Sequence, residues 1–346
     1  MAQLVVIDAR DGFSPQLRGW GRYARCLADA LAELPGRDLG PLKLEVVKEG
    51  GAGPEVVFEQ VKLPLLLRRR RAALVHSTDC FLPLLRPCPG VVTIHDLAFE
   101  EPGSDVPPRT RLKFRALTSR AARSAQRIIC PSDFTRDDVC SRYAVDPGKV
   151  RVVPEAPALA LRPEAASPEP STPYILAVGD LRPKKNLPAL VSAYAKLWRD
   201  GVREHRLVLA GLDAGQGPRL AELAGPAPLE LTGYLSDERL DLLLTGADLV
   251  VHPSLYEGFG LVLLEAMARG APVLAARAGA LPQTGGEAAA YFDPADPDSL
   301  ASQLEALLTN PAARAEMARA GLSWAKRFSW ASAARETVDV YRELVA

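Results

Sequence analysis

The chain has 346 residues, enough for two domains of ordinary size, and its 48% hydrophobic content is that of a globular protein. Its 42 Lys+Arg balance 42 Asp+Glu, which argues against a general nucleic-acid binder, and no apolar run reaches the roughly 20 residues of a membrane-spanning helix. Five cysteines without a CxxC pair make neither a disulfide framework nor a structural zinc site. Reduced thiols, and an N-terminus that meets Asp8 and Asp11 too early for a secretory signal, predict a cytoplasmic location. Charge is uneven along the chain. Residues 1–160 hold 24 Lys+Arg against 19 Asp+Glu, so +5, and residues 161–346 hold 18 against 23, so −5.

In chain order, LVVID (4–8) reads as a strand, and GRYARCLADALAELPG follows it as a helix. Ala24, Leu27, Ala28 and Leu31 line one face of that helix, and Pro35-Gly36 end it. LKLEVV, ALVHS, GVVTIHD and RIICPS read as further short strands. The stretch 161–173 is proline-rich without apolar periodicity, a fairly stiff linker. Beyond it, strands YILAVGD, RLVLAG, LELTGY, ADLVVHPS and APVLAAR alternate with helices at 187–199, 218–224, 237–245, 261–269 and 298–308. Such alternation predicts a parallel sheet covered on both faces. Ligands of open α/β sheets sit at the carboxyl ends of the strands, and domain interfaces favour pockets. Two α/β units joined by a hinge therefore predict a cleft.

Three histidines, His76, His95 and His252, stand at strand ends. Each reads evenly as structural or functional, His95 leaning to function because Asp96 follows it. His205 starts a strand and reads as surface.

The most informative stretch is LVVHPSLYEGFGLVLLEAMARG, 249–270. A strand turns through Gly258-Phe259-Gly260 into a helix that Gly270 ends. The first helical turn offers backbone N–H groups, a phosphate site with glycines allowing close approach. Glu257 and Glu265 repel phosphate, so they must address a neutral part of the same ligand. A carboxylate accepts two hydrogen bonds, which suits a vicinal diol. Glu265 would take a ribose and Glu257 a second sugar, which together describe a nucleotide sugar. Cations stand one strand away in YILAVGDLRPKKNLP. There Arg182, Lys184 and Lys185 crowd a loop before a helix with Asn186 as its expected N-cap. Aimed at a diphosphate leaving group, they would stabilise its developing charge.

At this point the chain resembles a known family. Glu257-x7-Glu265 within HPSLYEGFGLVLLEAMARGAPVLA is similar to the E-x7-E signature of family 4 retaining glycosyltransferases. The resemblance extends through IDAR…GWGRYARCLADAL, VVTIHDLAF, CPSDFTRDDV, VGDLRPKKNLPALVSAY, LTGYLSDERL and the final FSW…YRELV helix. It implies the α/β GT-B fold, two Rossmann-like parallel-sheet domains facing each other across a cleft. The N-terminal acceptor-binding domain would span 1–160 and the nucleotide-sugar domain 174–325. The helix at 326–346 would cross back to the first domain.

The resemblance also implies roles. Glu265 would hold the ribose, and Glu257 with the Gly258, Phe259 and Gly260 backbone the hexose. The amides of Leu261 and Val262 would meet phosphate, neutralised by Lys185 with Arg182 or Lys184. Gly19 and Gly21 would form a loop closing over the diphosphate, and His95 would contact the donor sugar. Gly233, Tyr234 and Leu235 would border the base. The pattern departs at Asp180, where arginine is common, and at Gln283, where glutamate is common.

Two motifs are discounted. Gly19-Trp20-Gly21-Arg22-Tyr23-Ala24 imitates a dinucleotide fingerprint but lies 11 residues beyond the strand instead of in its turn. Asp296-Pro297-Asp298 matches a metal-binding D-x-D but precedes a helix, so it reads as a cap. The segment 109–127 has seven basic residues and no acid. It reads first as a solvated helix face and second, with LPLLLRRRR (63–71), as a peripheral contact with anionic membrane at its inner face. The expected function is metal-independent, cofactor-free retaining transfer of a hexose from a nucleotide-diphosphate sugar. GDP-mannose is the first donor and UDP-glucose the second, and the acceptor is a glycan, lipid-linked or small molecule. The alternatives are a non-catalytic nucleotide-sugar-binding protein, or another GT-B enzyme such as an epimerase or phosphorylase.

Overall fold

The computed structural model describes residues 2–14, 17, 19–50, 54–102, 104, 106–159 and 172–345. They fall into two compact units. Unit 1 draws on Met1–Pro102, Val106–Ala158 and Phe328–Ala346, and unit 2 on Gly103–Asp105 and Leu159–Arg327. Of the expected linker, only Thr172 and Pro173 are among the described residues.

Unit 1 contains β1 (Gln3–Asp8), β2 (Leu42–Val47), β3 (Leu74–Ser77), β4 (Gly90–Thr93), β5 (Arg127–Cys130) and β6 (Val150–Val152). They form one parallel sheet in the order β2-β1-β3-β4-β5-β6. β3, β4 and all of β5 but Arg127 are buried, which explains why they read as continuous apolar runs instead of alternating ones. Val5, Ile7, Tyr23, Leu27 and Leu31 pack on one face with Val338 and Tyr341 of the last helix, Trp330–Val345. Val6, Val92, Leu63, Leu67, Ala121 and Val139 fill the other.

The last helix is tied down by a buried polar chain. His76 Nδ1 is 2.7 Å from the Tyr341 hydroxyl, His76 Nε2 is 2.8 Å from Thr93 Oγ1, and that oxygen is 3.2 Å from the Tyr23 hydroxyl. Burial pushes the His76 imidazole down to about 3, so the ring is neutral and one of its nitrogens accepts. His76 is thus a structural residue.

Unit 2 contains β7 (Tyr174–Val178), β8 (Arg206–Ala210), β9 (Leu229–Gly233), β10 (Leu249–His252), β11 (Val273–Ala276) and β12 (Ala290–Phe292). Its sheet is again parallel, in the order β12-β11-β10-β7-β8-β9. The order reverses between β7 and β10, where an open α/β sheet places its ligand crevice. In unit 1 the reversal falls between β1 and β3.

The helices of unit 2 include Leu187–Arg199, Gly217–Ala224, Asp237–Thr245, Leu261–Met267 and Pro297–Leu308. Asp296 caps the last of these, its Oδ1 accepting from the Asp298 N–H at 3.0 Å, so the D-x-D motif is a helix start. Gly270 has φ +72°, the left-handed residue that turns the chain after Met267.

Three expectations are corrected. His205 is buried, not surface, beside Asp248 at 3.7 Å, and burial lowers its pKa. It precedes β8 at the amino edge of the sheet, where Tyr194 donates to its carbonyl at 3.0 Å. Gly19 and Gly21 are not in a loop; they open the helix Gly19–Glu33, and a Cβ on Gly21 would lie 2.7 Å from the Asp11 carbonyl. The basic helix is Pro108–Ser124, because Ala125 turns extended and Arg127 begins β5.

Candidate donor site of unit 2

The two loops that carry the chemistry leave adjacent strands at the reversal point. After β7 comes Gly179 at φ +140°, where a Cβ would sit 2.9 Å from Lys185 Cε. Any side chain there would collide with the lysine stem, which crosses the strand end at this point. The loop then makes a 3-10 turn, Pro183–Lys185, and enters the helix through Asn186 in the left-handed region (φ 51°, ψ 32°). Asn186 stands at the N-cap position without a side-chain capping bond. Its contribution is the backbone conformation that asparagine tolerates.

After β10, the Leu255 N–H donates to the Lys184 carbonyl at 3.0 Å, stitching the two loops together. Glu257 is clamped from behind. Its carbonyl accepts from the Ala280 N–H at 2.9 Å, and Gly279 (φ +56°) packs so close that a Cβ would lie 2.6 Å from that oxygen. Gly260 follows at φ +100°, then the helix Leu261–Met267. Thr284 Oγ1 donates to the Phe259 carbonyl at 2.5 Å, and Trp324 Nε1 to the Thr284 carbonyl at 2.7 Å. The Gly-Phe-Gly turn is therefore held rigidly by the segments that follow β11.

Side chains converge on one carboxylate. Lys185 Nζ donates to Glu257 Oε1 at 2.5 Å, and His252 Nε2 lies 3.3 Å from the same oxygen. Burial alone would raise the Glu257 pKa; the Lys185 ammonium, the His252 hydrogen bond and the charge of Lys184 outweigh it and hold the group well below the usual carboxylate range. Burial lowers the His252 pKa, and Glu257 offsets this only in part. A neutral His252 donating from Nε2 is the form that fits a carboxylate acceptor.

The remaining residues named from sequence take these places. Arg182 lies 3.8 Å from Asp180, the residue that replaces the common arginine. Glu265 is buried one turn into its helix, and its carbonyl accepts from Arg269 Nη1 at 2.9 Å while Arg269 Nε binds Asp241 at 2.5 Å. Gly233 (φ +70°), the exposed Tyr234 and Leu235 stand at the carboxyl end of β9 on the sheet edge. Gln283 is exposed on the short helix Leu281–Gly285.

In unit 1, His95 is buried against Trp20 and Tyr23, whose ring centroids are 5.9 and 4.5 Å away. Its Nδ1 is 3.1 Å from Glu155 Oε1 and its Nε2 is 2.9 Å from the Thr78 carbonyl. A carbonyl only accepts, so Nε2 carries a proton, and both ring nitrogens are engaged within unit 1. Sequence reasoning left His252, Gly179 and Gly279 out of the site. His252 did show itself as a strand-end histidine, but nothing in the sequence marks the two glycines.

Comparison with known proteins gives the family and the fold. Residues 162–324 match the family profile described as glycosyl transferases group 1, and residues 44–156 match glycosyltransferase family 4. A D-inositol 3-phosphate glycosyltransferase of Nocardioides sp. is 30% identical over 339 residues, 90% of this chain and 72% of that protein. The chain belongs to glycosyltransferase family 4. This glycosyltransferase is also 29% identical to O-antigen chain mannosyltransferase B of Escherichia coli, over 80% of its own length and 76% of the relative's. Among solved structures, sucrose-phosphate synthase from Thermosynechococcus elongatus aligns with a TM-score of 0.79 at 22% identity, covering 99% of both chains. The fold of the glycosyltransferase is GT-B, two Rossmann-like parallel-sheet units.

Proposed function

We propose that the protein is a retaining, metal-independent hexosyltransferase whose donor is a nucleotide-diphosphate sugar, GDP-mannose before UDP-glucose, bound by unit 2. The observation that carries this reading is the convergence of Lys185, His252 and Glu257 at the strand-order reversal, directly ahead of the Gly260 helix start. The mannosyltransferase relative supports the choice of sugar.

In this reading the Lys185 ammonium exchanges Glu257 for donor phosphate, and the released Glu257 oxygen accepts from hexose hydroxyls. The amides of Leu261 and Val262, with Arg182 or Lys184, take the rest of the diphosphate charge, and Glu265 takes the ribose. Gly233, Tyr234 and Leu235 border the base. The acceptor is assigned to unit 1, which also carries Gly19 and Gly21, given a role toward the diphosphate, and His95, given a role toward the donor sugar. The bond from the anomeric carbon to phosphate oxygen breaks as the acceptor oxygen adds to the same face, and the acceptor's proton passes to the leaving phosphate. Fixed cations stabilise that oxygen as its charge develops, the part that a metal plays in other transferases.

Glu257→Ala is the test. Transfer should fall by at least about a thousandfold, because transition-state contacts are lost, while calorimetric affinity for GDP stays within about threefold. Equal loss of both would remove Glu257 from the hexose and place it at the diphosphate.

A further inference from the structure

Every large apolar side chain of unit 1 that is more than a third exposed, among the described residues, lies on three segments. Val57, Val61 and Leu65 recur every fourth residue along the outer face of the helical run 55–70, while Phe58, Leu63 and Leu67 of the same run enter the core. Leu84 and Leu85 tip the loop after β3, and Leu112 stands on the helix Pro108–Ser124. Leu85 is 84% exposed, Leu112 68%, and Val61 and Leu65 each 51%.

The three segments are joined. Gln60 Nε2 donates to the Leu82 carbonyl at 3.4 Å and Gln60 Oε1 accepts from the Leu84 N–H at 3.1 Å. Lys113 Nζ lies 3.8 Å from Glu55. Around them the charge has one sign. Residues 54–71, 82–88 and 106–113 contain nine Lys+Arg and two acids; one of these is the buried Glu59, and the other, Glu55, faces Lys113. The apolar stripe of the 55–70 run continues directly into the exposed Arg68, Arg69 and Arg71.

The basic helix itself contributes less than its sequence suggests. Arg111 donates to the carbonyls of Glu100 and Glu101, Arg115 binds Glu100 at 2.9 Å and Arg123 donates to the Tyr143 carbonyl. These cations serve the fold. Arg86 likewise donates to the carbonyls of Pro83 and Ser124, so the helix adds Leu112 and Arg109 to the surface and the weight of the patch falls on 57–71 with Leu84 and Leu85.

We propose that this face of unit 1 docks on a bilayer surface carrying anionic lipid, with Val61, Leu65, Leu85 and Leu112 entering the headgroup boundary and the arginines meeting lipid phosphate. The composition selects this occupant. Interface cores between proteins are enriched in aromatics and depleted in charge, whereas this patch is aliphatic inside a basic rim, the pattern of interfacial membrane binding. The proposal does not depend on which sugar is moved.

The test is flotation of the full-length protein on vesicles of phosphatidylcholine, alone or with about one part in three phosphatidylglycerol. The bound fraction should be at least about tenfold higher on the anionic vesicles and fall as salt rises. Leu65→Glu with Leu85→Glu should reduce it about tenfold, and so should Arg68→Ala with Arg69→Ala and Arg71→Ala, while the thermal transition stays in place. No binding to either vesicle, or binding that neither variant weakens, overturns the proposal. So does self-association in sedimentation velocity that Leu65→Glu abolishes, which would assign the face to a second copy of the chain.

Discussion

At the scale of single residues, both units place titratable groups where the sheet order reverses, but they resolve them differently. In unit 2 each carboxylate at the reversal meets a cation. In unit 1 Asp8 takes Arg10 in a two-point ion pair, Nε to Oδ1 at 2.7 Å and Nη2 to Oδ2 at 2.9 Å, and Arg10 also lies over the Phe58 ring. That leaves Glu59 buried with Arg10 only at 3.6 Å. Burial pushes its carboxyl up to about 7; Glu55 and Asp8 push the same way, and Arg10 and Lys113 pull against them. A carboxyl raised in the folded state binds more protons there than in the unfolded chain. Its contribution is therefore present at low pH and is lost as pH rises from about 4.5 to about 7. Glu59→Gln should keep the unit 1 fold, remove this fall, and stabilise the protein at pH 8 by about 1–3 kcal/mol. Denaturant midpoints of both proteins at pH 5 and pH 8 check this. A parallel pH response in the two would show that Glu59 is already ionised and satisfied.

At the scale of elements, the sequence was legible where periodicity or capping ran long enough to be counted. The helices Leu187–Arg199 and Asp237–Thr245 begin and end where 187–199 and 237–245 were expected, because apolar spacing and a Ser236 cap define them. β6 and β12 went unread. Each has three residues at a sheet edge, too few to show a pattern and without the double burial that marks central strands. The sequence shows 63–71 only as an apolar-basic patch and assigns 55–62 no element, because the outward stripe of the helical run 55–70 is as apolar as its core face, which hides the period. Lys185 and Glu257 could both be named from sequence, yet the glycines that let them meet could not, since close backbone approach has no local signature.

The last helix shows what such hidden contacts are worth. Tyr341→Phe removes the hydroxyl that satisfies His76 Nδ1 and leaves that nitrogen buried without its partner. We expect a loss of about 1–3 kcal/mol in unit 1, seen as a lower urea midpoint, with less than about half of that when His76 has first been replaced by Phe. Full additivity of the two changes would mean that the pair is not coupled and that apolar packing alone seats the helix.

At the scale of the whole molecule, two parallel sheets with different strand orders share one chain. The sheet β12-β11-β10-β7-β8-β9 has the arrangement that binds dinucleotides, 3-2-1-4-5-6 when its strands are counted from β7. The other has the alternative doubly wound order and carries the basic excess, the apolar patch and His95. A nucleotide that binds the folded state adds RT ln(1 + [L]/Kd) to stability, about 2.7 kcal/mol at a hundredfold excess over Kd. That stabilisation must appear where the ligand sits. Hydrogen exchange with GDP should therefore slow amides in 179–186 and 252–265 of unit 2, because both loops surround the Lys185–Glu257 pair. Exchange in β1, β3 and the helix Trp330–Val345 should change little. With the charge met by lysine and backbone, as proposed, EDTA should leave the pattern intact. Protection that vanishes with EDTA would require a metal in the site. Protection confined to unit 1 would move the donor to the other sheet and reverse the assignment of the two units.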